Sequence, residues 1–65
     1  MKKYEKRISK AVYDRAIANN GHITEKDEEE IFSYIEQAIY GVYRTVAIER
    51  DGEYFVRYEL GDSAD

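Results

Sequence analysis

Residues 45–60 read TVAIERDGEYFVRYEL, and the way this stretch pairs with itself decides the fold. Its halves, 45–49 and 53–60, are rich in β-branched and aromatic residues and are divided by Asp51-Gly52, a strong short-range signal for a β-hairpin. Two registers compete. A two-residue loop, Asp51-Gly52, pairs Arg50 with Glu53 and Ile48 with Phe55, and mixes apolar and charged side chains on both faces. A three-residue loop, Arg50-Asp51-Gly52, pairs Glu49 with Glu53 and Ile48 with Tyr54, with Gly52 as the left-handed bulge residue. The second register puts Val42, Arg44, Val46, Ile48, Tyr54, Val56, Tyr58 and Leu60 on one face. It leaves Tyr43, Thr45, Ala47, Glu49, Glu53, Phe55, Arg57 and Glu59 on the other. A buried face specifies register strongly, so the sequence favours the three-residue loop. Residues 61–65 lack an apolar anchor and read as a frayed tail.

Upstream, the apolar period changes to that of helices. Over residues 3–19, Tyr4, Ile8, Ala11, Val12, Arg15, Ala16 and Ala18 share one face at about 100° per residue. Lys2, Lys3, Lys6, Arg7 and Lys10 lie opposite, and Asn19-Asn20-Gly21 ends the element. Basic residues at the positive end of a helix dipole are mildly unfavourable, so a basic first helix points to a use for that face. After His22, Ile23 packs ahead of Thr24, which reads as an N-cap. Glu25, Asp27, Glu28, Glu29 and Glu30 follow where the dipole favours negative charge. Ile31, Phe32, Tyr34, Ile35, Ala38, Ile39 and Val42 then predict a continuous apolar stripe on a second helix ending near Gly41. Glu29, Glu30, Ser33, Glu36, Gln37 and Tyr40 lie on its other side.

The expectation is therefore an α+β domain over residues 1–60, in the order α-α-β-β, with two amphipathic helices on one face of an antiparallel hairpin. Sixty-five residues make one small domain with a marginal core, and the absence of Cys rules out disulfides and thiolate metal sites. A lone hairpin is weak in water. Strand 53–60 is expected to pair with its copy in a homodimer, with Tyr43, Phe55 and Arg57 as contact residues, although edge charges at Arg57 and Glu59 would oppose such pairing. No apolar run approaches the roughly 18 residues of a membrane span, and MKKYEKR is followed by no apolar segment of a secretory signal. A cytoplasmic protein without membrane contact is expected.

Chemistry finds little support. His22 is the lone histidine, with no ligand spacing around it, so no metal site and no cofactor are expected. Ser9 and Ser33 fall inside the expected helices without a base at helical spacing. The four glycines punctuate elements and form no phosphate loop. The chain reads as non-enzymatic, with no catalytic residue assigned.

Charge separates the remaining classes. The formal net charge of −4 hides a split: residues 1–20 carry six basic against two acidic side chains, and residues 21–65 carry four against twelve. The leading expectation is a protein-interaction module. Its acidic second helix (Glu25, Asp27, Glu28, Glu29, Glu30 and Glu36, with Tyr40) would enter a basic groove of another protein, as an inhibitor or a nucleic-acid mimic. Seven tyrosines suit an interface, because Tyr gives contact area at low entropy cost. The runner-up is a nucleic-acid binder using Lys2, Lys3, Lys6, Arg7, Lys10 and Tyr13 of the first helix, since phosphate contact requires a positive surface. An acidic helix in the position of a reading helix argues against it. A third expectation is an assembly subunit that self-associates through the hairpin.

Overall fold

The computed structural model describes residues 2–61, and its chain begins with a strand, β1 (Lys2–Ile8). Helices α1 (Lys10–Ala18) and α2 (Glu25–Ile31) follow, then a π-helix (Ile35–Tyr40) and strands β2 (Val42–Arg50) and β3 (Glu53–Leu60). The fold is α+β, as expected, but its order is β-α-α-π-β-β rather than α-α-β-β. The sheet has three antiparallel strands in the order β1-β3-β2.

Strand β1 replaces the first half of the expected basic helix. It pairs with β3 from Lys2↔Leu60 to Ile8↔Tyr54. Tyr4, Lys6 and Ile8 face the helices, while Lys3, Glu5 and Arg7 face the other way. Tyr4 and Ile8 are four residues apart, and that spacing puts them on one face of either a helix or a strand. Pairing decides between the two: β1 supplies a ladder along β3 that a helix could not. Ser9 then caps α1, its hydroxyl accepting from the Val12 N–H at 3.1 Å.

The second expected helix breaks in two. Phe32 is extended (φ −101°, ψ 140°) and ends α2. Ser33 restarts the chain with a reciprocal capping box: its hydroxyl accepts from the Glu36 N–H at 3.1 Å, and its own N–H donates to Glu36 Oε1 at 2.8 Å. The wider π turn closes with the Gly41 N–H donating to the Glu36 carbonyl at 2.8 Å.

The hairpin takes the two-residue loop. Arg50 pairs with Glu53, Glu49 with Tyr54 and Ile48 with Phe55. Asp51 (φ 53°) and Gly52 (φ 79°) are both left-handed, which is the type I′ turn that matches strand twist. The expected three-residue loop fails because the β2 face is not continuous. Arg44 (φ 55°) and Thr45 bulge opposite Tyr58, which lets Val42 and Ala47 both face the core although they differ in parity. Val46 and Ile48 consequently lie on the outer face. Since β3 is the central strand, its expected pairing with a second copy is excluded: both of its edges are occupied.

The core lies between the sheet and the helices. Ile8, Ala47, Val56 and Tyr58 come from the strands, Ala16 from α1, and Ile23 and Phe32 from the segments flanking α2. Val12, Tyr13, Ile31, Tyr54 and Leu60 pack around them. The outer edge of β2 is covered by the loop after α1. The Ala47 N–H donates to the Gly21 carbonyl at 2.9 Å, His22 Nδ1 donates to the Thr45 carbonyl at 2.6 Å, and the Ile23 N–H reaches the Thr45 hydroxyl at 3.3 Å. These bonds satisfy backbone groups that would otherwise invite another strand. Gly61 donates its N–H to the Gly41 carbonyl at 3.1 Å, so the start of the expected tail is tied down; residues 62–65 lie outside the described residues.

Candidate protein-interaction surface

The π-helix has its polar side turned toward the body of the protein and its apolar side toward solvent. Glu36 Oε1 accepts from Lys6 Nζ of β1 at 2.9 Å, and Oε2 accepts from the Tyr58 hydroxyl at 3.3 Å. Gln37 Nε2 donates to the Phe32 carbonyl at 2.7 Å. Lys6 also donates to the Ile31 carbonyl at 3.3 Å and sits 5.4 Å from the Phe32 ring centre. These contacts fasten the segment through its charged and amide groups. Tyr34, at 77% exposure, Ile35, at 57%, and Ile39, at 49%, point away, beside the exposed Ala38 and Tyr40. No residue of the π-helix is buried. The expected core stripe through Ile35, Ala38 and Ile39 is thus overturned. The extended Phe32 resets the helical phase, so that Ile31 and Phe32 face the core while the isoleucines of the next turn do not.

The same network sets the acidities nearby. Burial opposes ionisation of Glu36, but the hydrogen bonds from Lys6 and Ser33 outweigh it and hold the carboxyl below the usual range. Tyr58 is pushed up to about 12 by its burial and by the neighbouring Glu36 charge. Its ring stacks on Tyr4 at 5.7 Å and meets the edge of Phe32 at 4.8 Å.

Helix α2 precedes this turn. Of its acids, Asp27 is withdrawn from the surface. It is 4% exposed and accepts from Arg15 Nε and Nη2, each at 2.9 Å, and from the Thr24 hydroxyl at 3.0 Å. The Arg15 hydrogen bond holds its carboxyl below the usual range against the opposing effect of burial. Glu36 is engaged as described. Glu28 is half-buried, and burial, followed by the Glu25 charge, pushes its carboxyl up. Glu25, Glu29 and Glu30 are exposed and join no ion pair among the described residues. The expected acidic surface of six carboxylates therefore contracts to these three, with Glu28 at its margin. Tyr40, exposed, lies at the far end of the apolar turn.

The expected basic row does not form. A strand sends neighbouring side chains to opposite faces, so Lys6 points to the helix side and Arg7 to the other. Lys6 pairs with Glu36, Arg7 with Glu53 at 2.8 Å, and Lys10 with Asp14 at 3.0 Å. Lys2 and Lys3 are exposed on β1, and Tyr13 packs on Tyr54 with ring centres 4.8 Å apart. On the outer sheet face, Arg50 and Arg57 both approach Glu5, Arg50 covers the Phe55 ring at 4.8 Å, and Arg44 reaches toward Glu59 at 3.9 Å. Tyr43 is exposed on the same face. The structure thus brings Tyr43, Phe55 and Arg57 to one face but pairs the charges within it. Such exposed pairs contribute little individually.

Tyr34, Ile35 and Ile39 are the surface residues that the sequence reading assigned to the core. The signal that places them outside is Ser33-x-x-Glu36, which marks a helix start rather than a helix interior. Among the described residues, no three His, Cys, Asp or Glu are grouped to hold a metal ion, and no helix is long and apolar enough to cross a membrane. Comparison with protein-family models, with curated proteins and with solved structures returns no match to this chain.

Proposed function

We propose that the protein is a non-enzymatic protein-interaction module whose working surface runs from the outward carboxylates of α2 onto the exposed apolar turn of residues 34–40. The observation that carries this reading is the inverted π-helix, which turns Glu36 inward to Lys6 and Tyr34, Ile35 and Ile39 outward. An isolated helix this short is marginal in water, and several large apolar side chains exposed side by side mark a contact site more often than a solvated face. Glu25, Glu29 and Glu30 alongside favour a partner with a basic surface, because complementary charge speeds encounter and fixes orientation. Of the basic residues read for nucleic-acid binding, Lys6, Arg7 and Lys10 each pair with a carboxylate and β1 divides the row between two faces, so that reading stands second.

The test is a capture experiment from extract of the source cells, paired with titration of labelled duplex and single-stranded DNA at low salt. The tagged wild-type chain is expected to retain a basic protein. A variant with Glu25, Glu29 and Glu30 changed to Gln is expected to lose it, and the DNA titration is expected to show no saturable binding. Salt-sensitive DNA binding abolished by Lys2→Glu/Lys3→Glu and untouched by the Gln changes would replace this reading with the nucleic-acid one.

A further inference from the structure

Resting on the reading of residues 34–40 as an interface, we infer that the apolar half of that surface is covered by a second copy of this chain. The two copies would meet antiparallel across a two-fold axis between Ile35 and Ile39, leaving the α2 carboxylates of each free for the basic partner.

Three observations converge on this occupant. The first is area. At their observed exposures, Tyr34 (77%), Ile35 (57%), Ile39 (49%) and Tyr40 (38%) offer roughly 500 Å² of accessible surface. A two-fold contact uses this patch twice and reaches roughly 1,000 Å², the lower bound for a specific interface. That is the size of a weak, transient contact.

The second is shape. Ile35 and Ile39 are neighbours on one exposed face of the π-helix, and Ala38, with its small side chain, is exposed to one side of them. Isologous contact then sets the Ile35 of each copy against the Ile39 of the other.

The third is the state of the strand edges. The alternative of pairing through strand edges is disfavoured on both sides. The β2 edge is covered by Gly21–Ile23 backbone and His22, and the β1 edge is the charged stretch Lys2–Arg7.

Sedimentation equilibrium on the full chain, from low micromolar to near-millimolar concentration, tests the inference. The wild type is expected to rise from monomer to dimer mass across the series. Ile39→Glu is expected to weaken association by at least about tenfold. Ile17→Glu, which changes an equally exposed isoleucine on α1, is expected to leave it unchanged. Tyr34→Ser, which trims the most exposed side chain of the patch, should weaken the dimer as well. Far-UV circular dichroism reports whether each variant folds, and the Tyr34→Ser arm decides should Ile39→Glu unfold. A monomer at every concentration overturns the inference, as does a dimer indifferent to both Ile39→Glu and Tyr34→Ser. A monomer that still captures a basic partner through Glu25, Glu29 and Glu30 sinks the dimer alone. Loss of capture with the dimer intact sinks the partner reading alone.

Discussion

Asp27 accepts three side-chain hydrogen bonds, two from the Arg15 fork and one from the Thr24 hydroxyl, and Glu36 accepts from Lys6, from the Ser33 N–H and from Tyr58. Both carboxyls are held below their usual range, so both bind their proton less tightly in the folded than in the unfolded chain. Their contribution to stability is fully present above the unfolded carboxylate value of about 4, and is lost as the pH falls through the folded values. Glu28 acts in the opposite sense: its raised pKa makes its charge unfavourable in the fold, and protonating it returns stability slightly above that range. Urea midpoints measured from neutral pH down to about pH 2 are therefore expected to drop below about pH 4. The drop should be shallower in Asp27→Asn and in Glu36→Gln, each of which starts from a lower midpoint at neutral pH. A wild-type midpoint that stays level through this window would contradict the assignment. None of these pairings was readable one residue at a time. Asp27 and Glu36 carry the same charge as Glu29 and Glu30, and only the positions of Arg15 and Lys6 in space separate the internal acids from the surface ones.

At the scale of elements, local signals read well wherever one interpretation excluded the other. Thr24 caps α2 as expected, with the Asp27 N–H at 3.2 Å from its hydroxyl, and Asp51-Gly52 marks the hairpin. Tyr4 and Ile8 fit a helix and a strand equally, and the choice depended on β3, which lies some fifty residues away in sequence. In the hairpin, a bulge at Arg44 and Thr45 that no composition signal announces interrupts the apolar face, and the turn's own geometry sets the register. The two-residue turn has a consequence of its own. Gly52 sits at φ 79°, and a Cβ there would meet nothing within 4 Å, so a substitution is penalised by backbone conformation alone. Gly52→Ala is expected to lower stability by about 1 kcal/mol, measured by chemical denaturation, without altering the cross-strand pairs. A neutral result would mean that the left-handed conformation at Gly52 is not held in solution.

The whole molecule is a three-stranded sheet covered on one face by two short helices, with no disulfide and a core of few fully buried side chains. The class of fold and the helical cover were legible in apolar period. The third strand was hidden because a basic, alternating stretch matches the polar side of a helix as easily as a strand. The proposed interaction surface was half legible. Glu25, Glu29 and Glu30 keep the exposed position read for them, whereas Tyr34, Ile35 and Ile39 were assigned inward because an unbroken helix through Phe32 would have buried them. That inversion is central to the proposal: Lys6 and Glu36 form a polar latch, and the apolar turn it fastens is exposed to solvent. Amide NMR spectra of the full chain recorded through a dilution series, from near-millimolar to low micromolar, test it most directly. Concentration-dependent shifts confined to residues 34–40 are expected. Shifts confined instead to Lys2–Ile8 or to the outer sheet face around Phe55, or spectra that do not change with concentration, would contradict it.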